Sequence, residues 1–384
     1  MRIFLTLHPS TNLSVPGSMT WYHNLYEPLL EIGHEVFLLR MDEIALKYKI
    51  PFRSKKFKEI FSNELITIFR KEHLSKPFDF FFSYLTDLDI EDCVLQSIKG
   101  IGVPMANFSC NNTHQFHLIE HISPLFDYNL HSEKDAEIKF NSIRANHVWF
   151  PMAVNPKYYY PQNLEFKYDL SFIGSAYSKR SYYINQLVLN GLSVDCFGPN
   201  WLINKPNPRL KKFKKEIERY LNLTSLFFTI NNQKRFIQSS RIQYDDLLNQ
   251  LRENNRNRFH YPVTDFEMVR IFNQTRINLG FTEVFSFNNI PGDGLKQHVH
   301  LREFEVPMTG GLYITNYFEE LELFYQVDKE ILTYRNEFEL IDKIMFYLNH
   351  EKEALIIRQN AYKRAINCHS YQKRFQDLFK TLDK

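Results

Sequence analysis

Two strand–helix–strand openings, one at each side of a proline-rich stretch, constrain this chain more than any other feature. The first begins at the N-terminus. Residues 2–7 form a short apolar run, which reads as a buried strand. His8 to Ser18 holds two prolines, a glycine and several small polar residues, which is loop chemistry. Trp21, Leu25, Pro28, Leu29 and Ile32 recur at helical spacing, Gly33 can stop that helix, and HEVFLL (34–39) reads as a second strand. Such a unit implies a parallel sheet, with ligands expected at the loop after its first strand. Further strands are expected at 78–84, 105–108 and 128–131, with a helix over 90–101 ending near Gly102.

The stretch FPMAVNPKYYYP (150–161) has three prolines and no periodicity, and reads as a linker. The alternation then restarts. A strand at 170–173, a small polar loop at 174–179, a helix at 180–189 and a strand at 194–197 make the second opening. The expected organisation is two Rossmann-like α/β domains in series: residues 1–150, a linker over 151–165, and residues 166–384. A chain of 384 residues is long enough for two cores.

Residues 201–260 break the rhythm. Between Trp201 and Tyr220 seven Lys/Arg stand against two Glu, a local charge of +5 in a chain whose net charge is +3. This stretch reads as a basic, mostly helical insertion. It suits a solvated face, attraction to an anionic membrane surface, or contact with an anionic acceptor or partner. After it the α/β rhythm resumes: a helix over 266–274, strands at 276–279, 311–315 and 332–334, an amphipathic helix at 336–349 and two closing helices.

The nearly balanced charge argues against a nucleic-acid binder. Cys93, Cys110, Cys196 and Cys368 are scattered, without the spacing of a zinc site or a disulfide framework. With neither a signal-peptide run nor a membrane-length apolar run, a cytoplasmic protein is expected, peripheral at the inner membrane face if its acceptors are membrane-bound.

The segments IFNQTRINLGF (271–281), LKQHVHLREFEVPMTGGLYIT (295–315), ILTYRNEFELIDKIMFYL (331–348) and HSYQKRF (369–375) resemble the glycosyltransferase group 1 C-terminal domain of the CgeB-like family. WYHNLYEPLLEIGHEV (21–36), PMAVNPKYYYP (151–161) and FIGSAYSKR (172–180) extend the resemblance over most of the chain outside the basic stretch. It implies a GT-B fold, two Rossmann-like domains facing across a cleft. The acceptor binds mainly to the first and a nucleotide sugar mainly to the second.

Sugar transfer from such a donor makes the diphosphate a leaving group that gains negative charge. GT-B enzymes neutralise it with side-chain cations, backbone N–H groups and a helix N-terminus, with neither metal nor cofactor expected. Lys296 and Arg302, bracketing a strand-to-helix junction, are the candidate cations; otherwise they are solvated surface charges. Glu305 matches the acid that accepts ribose hydroxyls in related enzymes. The second acid that many retaining relatives carry eight positions earlier is Gln297 here. Thr309, Gly310 and Gly311 form either a turn that lets backbone approach the ligand or a plain helix cap. Gly174 and Ser175 can present N–H groups to phosphate, and Arg180 can reach the same place.

A catalytic base, if the reaction inverts, is expected from the first domain. His8, His114 and Asp87 are its candidates, each lying after a strand. Asp87-Leu88-Asp89 has the form of the metal signature of the other glycosyltransferase fold, but the rest of the chain does not follow that fold. The expected partners are a nucleotide-sugar donor and a glycan or lipid-linked acceptor on a polysaccharide, lipopolysaccharide or other glycoconjugate. The alternatives are a non-catalytic sugar- or nucleotide-binding module, or an enzyme using another activated donor.

Overall fold

The computed structural model describes residues 1–8, 19–202, 244, 246–285 and 295–382. Most of the basic stretch lies outside these residues, as do the loop at 9–18 and the segment 286–294.

The first half is a parallel six-stranded sheet. Its strands are β1 (Arg2–Leu7), β2 (Glu35–Arg40), β3 (Phe80–Ser83), β4 (Met105–Ser109), β5 (Tyr128–His131) and β6 (His147–Trp149). They lie in the order β2-β1-β3-β4-β5-β6. β3 and β4 are buried along their whole length, as expected of central strands covered on both faces.

The second half repeats the plan. Its sheet contains β7 (Tyr168–Ile173), β8 (Val194–Phe197), β9 (Phe259–His260), β10 (Thr275–Leu279), β13 (Tyr313–Asn316) and β14 (Leu332–Tyr334). Between β10 and β13 the chain makes a separate antiparallel pair, β11 (Glu283–Phe285) with β12 (Leu295–Gln297). The sheet order is β14-β13-β10-β7-β8-β9, all parallel. Counted within this half, that is the 3-2-1-4-5-6 order of a dinucleotide-binding sheet. Its topological switch point, where ligands sit, falls between β7 and β10.

Two differences from the sequence expectations stand out. The basic stretch was expected to run to residue 260, yet Phe259–His260 pairs with β8 as the edge strand of the second sheet. The long helix Lys55–Ser75 has no counterpart in the expected elements. It is capped by Ser54, whose Oγ accepts from the Phe57 N–H at 3.1 Å, and it buries Phe57, Phe61, Leu65 and Phe69 at four-residue spacing. Those rings pack with Phe4 and Phe81 on one face of the first sheet.

The other face of the first sheet is covered from the far end of the chain. The last helix, Tyr371–Leu382, lays Phe375 against Phe82 and Phe379 against Phe80, with ring centroids 5.7 and 5.9 Å apart. One apolar cluster thus runs from β1 and β3 through Phe150 and Tyr159 to Phe272 and Phe304, joining the halves. All four cysteines are free thiols. Among the described residues no helix is long and apolar enough to cross a membrane.

Candidate functional site

β7 and β10 both end in glycine at the switch point. Gly174 follows β7 and Gly280 follows β10. A Cβ on Gly174 would stand 2.7 Å from the Phe172 ring, and one on Gly280 would collide with the Tyr313 hydroxyl. The Gly174 carbonyl is held by Trp201 Nε1 at 2.7 Å. A cavity of about 320 Å³ opens here, lined by Gly174, Ser175, Arg180, Gly280, Arg302 and Tyr313 among others.

Arg180 opens the helix Arg180–Leu189 and turns back into the cavity wall. Its guanidinium donates to the Ser175 carbonyl at 2.9 Å, the Tyr177 hydroxyl at 3.2 Å and the Phe281 carbonyl at 3.3 Å. It also lies 4.0 Å over the Tyr177 ring. The residue is only 8% exposed, and its Nε has no hydrogen-bond partner among the described residues.

Arg302 enters from the opposite wall, at the start of the short helix Arg302–Met308. Its Nε donates to the Ile173 carbonyl at 3.3 Å, and its Nη1 pairs with Glu305. Burial lowers the pKa of both guanidiniums from the ordinary arginine value. Glu305 offsets part of the dehydration cost at Arg302, whereas the partners of Arg180 named above are neutral, so an anion between the two would offset more of it.

Below the arginines lies a third charged group. Glu303 is fully buried; it accepts from the Tyr313 hydroxyl at 2.9 Å and from the His300 N–H at 2.6 Å. Burial raises its pKa to about 7.

Of the expected donor residues, the structure brings Gly174, Ser175, Arg180 and Arg302 to one cavity. The others lie elsewhere. Glu305 is buried behind the lining residues, where it accepts from the Tyr159 hydroxyl at 2.8 Å and holds Arg302. Lys296 sits on β12 and reaches across to Asp135 of the first half at 3.3 Å.

Thr309, Gly310 and Gly311 close the far end of the 302–308 helix. Thr309 Oγ1 donates to the Val306 carbonyl at 2.7 Å, and Gly310 takes φ 70°. A Cβ on Gly311 would stand 2.8 Å from Val306 Cγ1. Here the glycines make the helix-to-strand turn.

Of the first-half candidates for a base, His8 and Asp87 do not line this cavity. His8 stacks on Phe52 with centroids 3.9 Å apart, and burial lowers its pKa. His114 belongs to the short helix Asn112–Gln115, and its side chain lies outside the described residues. Asp87 accepts the His121 and Ile122 N–H groups at 3.2 and 3.0 Å, and so anchors a loop. Asp89 is taken up by Thr86 and Arg53. Among the described residues no cluster of His, Cys, Asp and Glu could hold a metal ion.

The segment just past β5 reaches the donor half through Asp135 and also through Glu133. The Glu133 carboxylate lies 3.3 Å from His298 Nδ1 with both residues buried, and burial pulls the His298 pKa down to about 4. Neither residue stands out in the sequence. Gly280 carries a legible signal: the strand-plus-glycine of NLGF (278–281) repeats that of FIGS (172–175). Tyr159 carries none, because it reads as one of three tyrosines in a linker.

The glycosyl transferase-like family profile matches residues 232–380. No curated protein matches the chain in sequence. Several solved structures superpose on the whole chain. Sucrose-phosphate synthase from Thermosynechococcus elongatus does so with a TM-score of 0.61 at 11% identity, over 100% of this chain and 99% of that one. A glycosyltransferase from Rickettsia africae gives 0.59 at 10% identity, over 99% and 97%. HepE from Anabaena, in complex with UDP and glucose, gives 0.55 at 10% identity, over 100% of both chains. The fold is therefore the GT-B arrangement of two parallel α/β sheets.

Proposed function

We propose that the chain is a glycosyltransferase that moves a sugar from a nucleoside diphosphate to an acceptor hydroxyl. The observation that carries this reading is the pairing of Arg180 and Arg302 around Gly174 at the switch point of the second sheet. In the reaction the acceptor oxygen forms a bond to the sugar's anomeric carbon while the bond from that carbon to the diphosphate breaks. The acceptor proton leaves, and the nucleoside diphosphate departs with the electron pair. Two guanidiniums held in place by surrounding carbonyls and by Glu305 stabilise it with little reorganisation. They supply the neutralisation that a metal ion would otherwise give, so the reaction is read as metal-independent.

Residues 1–150 are taken as the acceptor side, 166–384 as the donor side and 151–165 as their connection. The motifs shared with the CgeB-like group support placing the chain there, and with it an acceptor on a cell-surface polysaccharide, lipopolysaccharide or other glycoconjugate. The basic stretch 201–260 supports a peripheral contact with the anionic inner face of a membrane. Flotation with anionic liposomes that weakens with salt is the expected result, and salt-independent or absent flotation removes that contact.

HepE is described with UDP, so uridine is the first base to try. A ligand that binds the folded state raises its melting temperature by mass action. In a panel of UDP, GDP, CMP, dTDP and ADP sugars, one should shift the melt. Arg302→Ala should weaken it by roughly 10- to 100-fold, the effect of about 1.5–3 kcal/mol for a charged hydrogen bond. A panel without any shift, or a variant that binds as well as the parent, contradicts the reading.

A further inference from the structure

A second pocket, of about 340 Å³, lies where the halves meet. Its walls come from the helical turn Tyr22–Tyr26, the connecting residues 157–162 and the first turn of the helix Asp265–Asn273. His23, Tyr158, Tyr160, Gln162, Asp265 and Phe266 line it. Its size falls within the range of small-ligand sites.

The aromatic rings are the informative part. The helix Asp265–Asn273 buries Met268, Val269, Ile271 and Phe272, yet Phe266 on the same helix is 67% exposed at the pocket. Tyr160 is 44% exposed beside it. Tyr158 forms a fixed surface: its hydroxyl donates to Glu27 at 2.7 Å, and its ring lies tilted against His23 with centroids 3.7 Å apart. The thermodynamic cost of leaving large apolar rings in water is recovered when a ligand with an apolar face covers them.

The polar groups define that ligand further. Asp265, whose carboxylate also accepts from the Met19 N–H at 3.4 Å, and Gln162 place a carboxylate and an amide among the rings, groups of the kind that bond hydroxyls. The cations of the lining are already paired, with His23 at 2.8 Å from Glu27 and Lys157 at 3.8 Å from both Glu27 and Glu31. Unlike the cavity at the switch point, this pocket has no arginine in its lining. Aromatic faces, hydroxyl-binding groups and paired cations fit a neutral sugar ring, whose C–H face stacks while its hydroxyls bond at the edge.

We propose that this pocket binds a neutral saccharide, and that the saccharide is a unit of the acceptor glycan. The second clause rests on the glycosyl-transfer reading above; the first stands on the pocket alone. The two sites are linked by a chain of side-chain contacts. Tyr159, between the two pocket tyrosines, donates to Glu305, which holds Arg302.

The test is calorimetric titration of the full chain with maltotriose, cellotriose and chitotriose, beside the nucleotide-sugar melt. At least one trisaccharide should bind. Phe266→Ala and Tyr160→Ala should each weaken it roughly threefold to tenfold. Both side chains are solvent-exposed, so the variants should keep the parent melting temperature and the parent nucleotide shift. Absence of binding by all three sugars, or equal binding by parent and variants, overturns the proposal. Saccharide binding without any nucleotide shift leaves the pocket standing and removes the acceptor assignment. A nucleotide shift without saccharide binding does the reverse, removing the pocket and sparing the transferase reading.

Discussion

A carboxyl group sealed beneath two arginines has a consequence for pH. Glu303 prefers its proton in the folded state, since burial lifts its pKa from 4.5 to about 7. The folded form therefore binds more protons than the unfolded one between those values. Stability present below pH 4.5 is lost as pH rises through about 7. Glu303→Gln should flatten this slope, and urea melts between pH 5 and pH 8 would show it; an unchanged slope would mean that another group titrates there. Arg180→Ala should lower nucleotide-sugar affinity about as much as Arg302→Ala, because each supplies one charged contact. Both arginines were legible in the sequence because each stands next to a strand end where anions collect. Glu303, Tyr159 and Glu133 were not, since their partners come from 10, 146 and 165 residues away in the chain. Glu305 looked like a ligand-facing acid from its motif position, but local packing turned it toward Arg302 and Tyr159.

At the scale of elements, alternation and glycine placement carry most of the fold. β7, β8, β10 and β14 lie close to where the apolar runs predict them, because buried parallel strands read as short apolar runs. The pair β11–β12 was hidden: three-residue strands leave no periodicity, and pairing them swings Lys296 across to Asp135. Gly280 is the sharpest test of the switch point. Gly280→Ala places a methyl group against the Tyr313 hydroxyl. Overpacking of this kind should cost about 1–3 kcal/mol and should also weaken nucleotide binding. Chemical denaturation and titration together would check it, and a variant with parent stability would show that the strand end has room to spare. The last helix gives a second test. Phe375 is buried between Phe82 and Phe150, so Phe375→Ala should cost about 3–5 kcal/mol. A loss below about 1 kcal/mol would mean that the helix contributes little to the joint between the halves.

For the whole molecule, the halves are held in one arrangement by apolar and polar contacts of different origin. A shared apolar cluster and the returning C-terminal helix form the joint, while Glu133 with His298 and Asp135 with Lys296 bridge the halves beside the donor sheet. Gly174, Arg180 and Arg302 together line an open cavity at the topological switch point of the second sheet. A crystal of the protein soaked with whichever nucleotide sugar shifts its melt tests this most directly. The diphosphate should lie within hydrogen-bond distance of both guanidiniums, beside the Gly174–Ser175 backbone. A diphosphate bound away from Arg180 and Arg302, or a cavity left empty at saturating nucleotide sugar, would contradict the account.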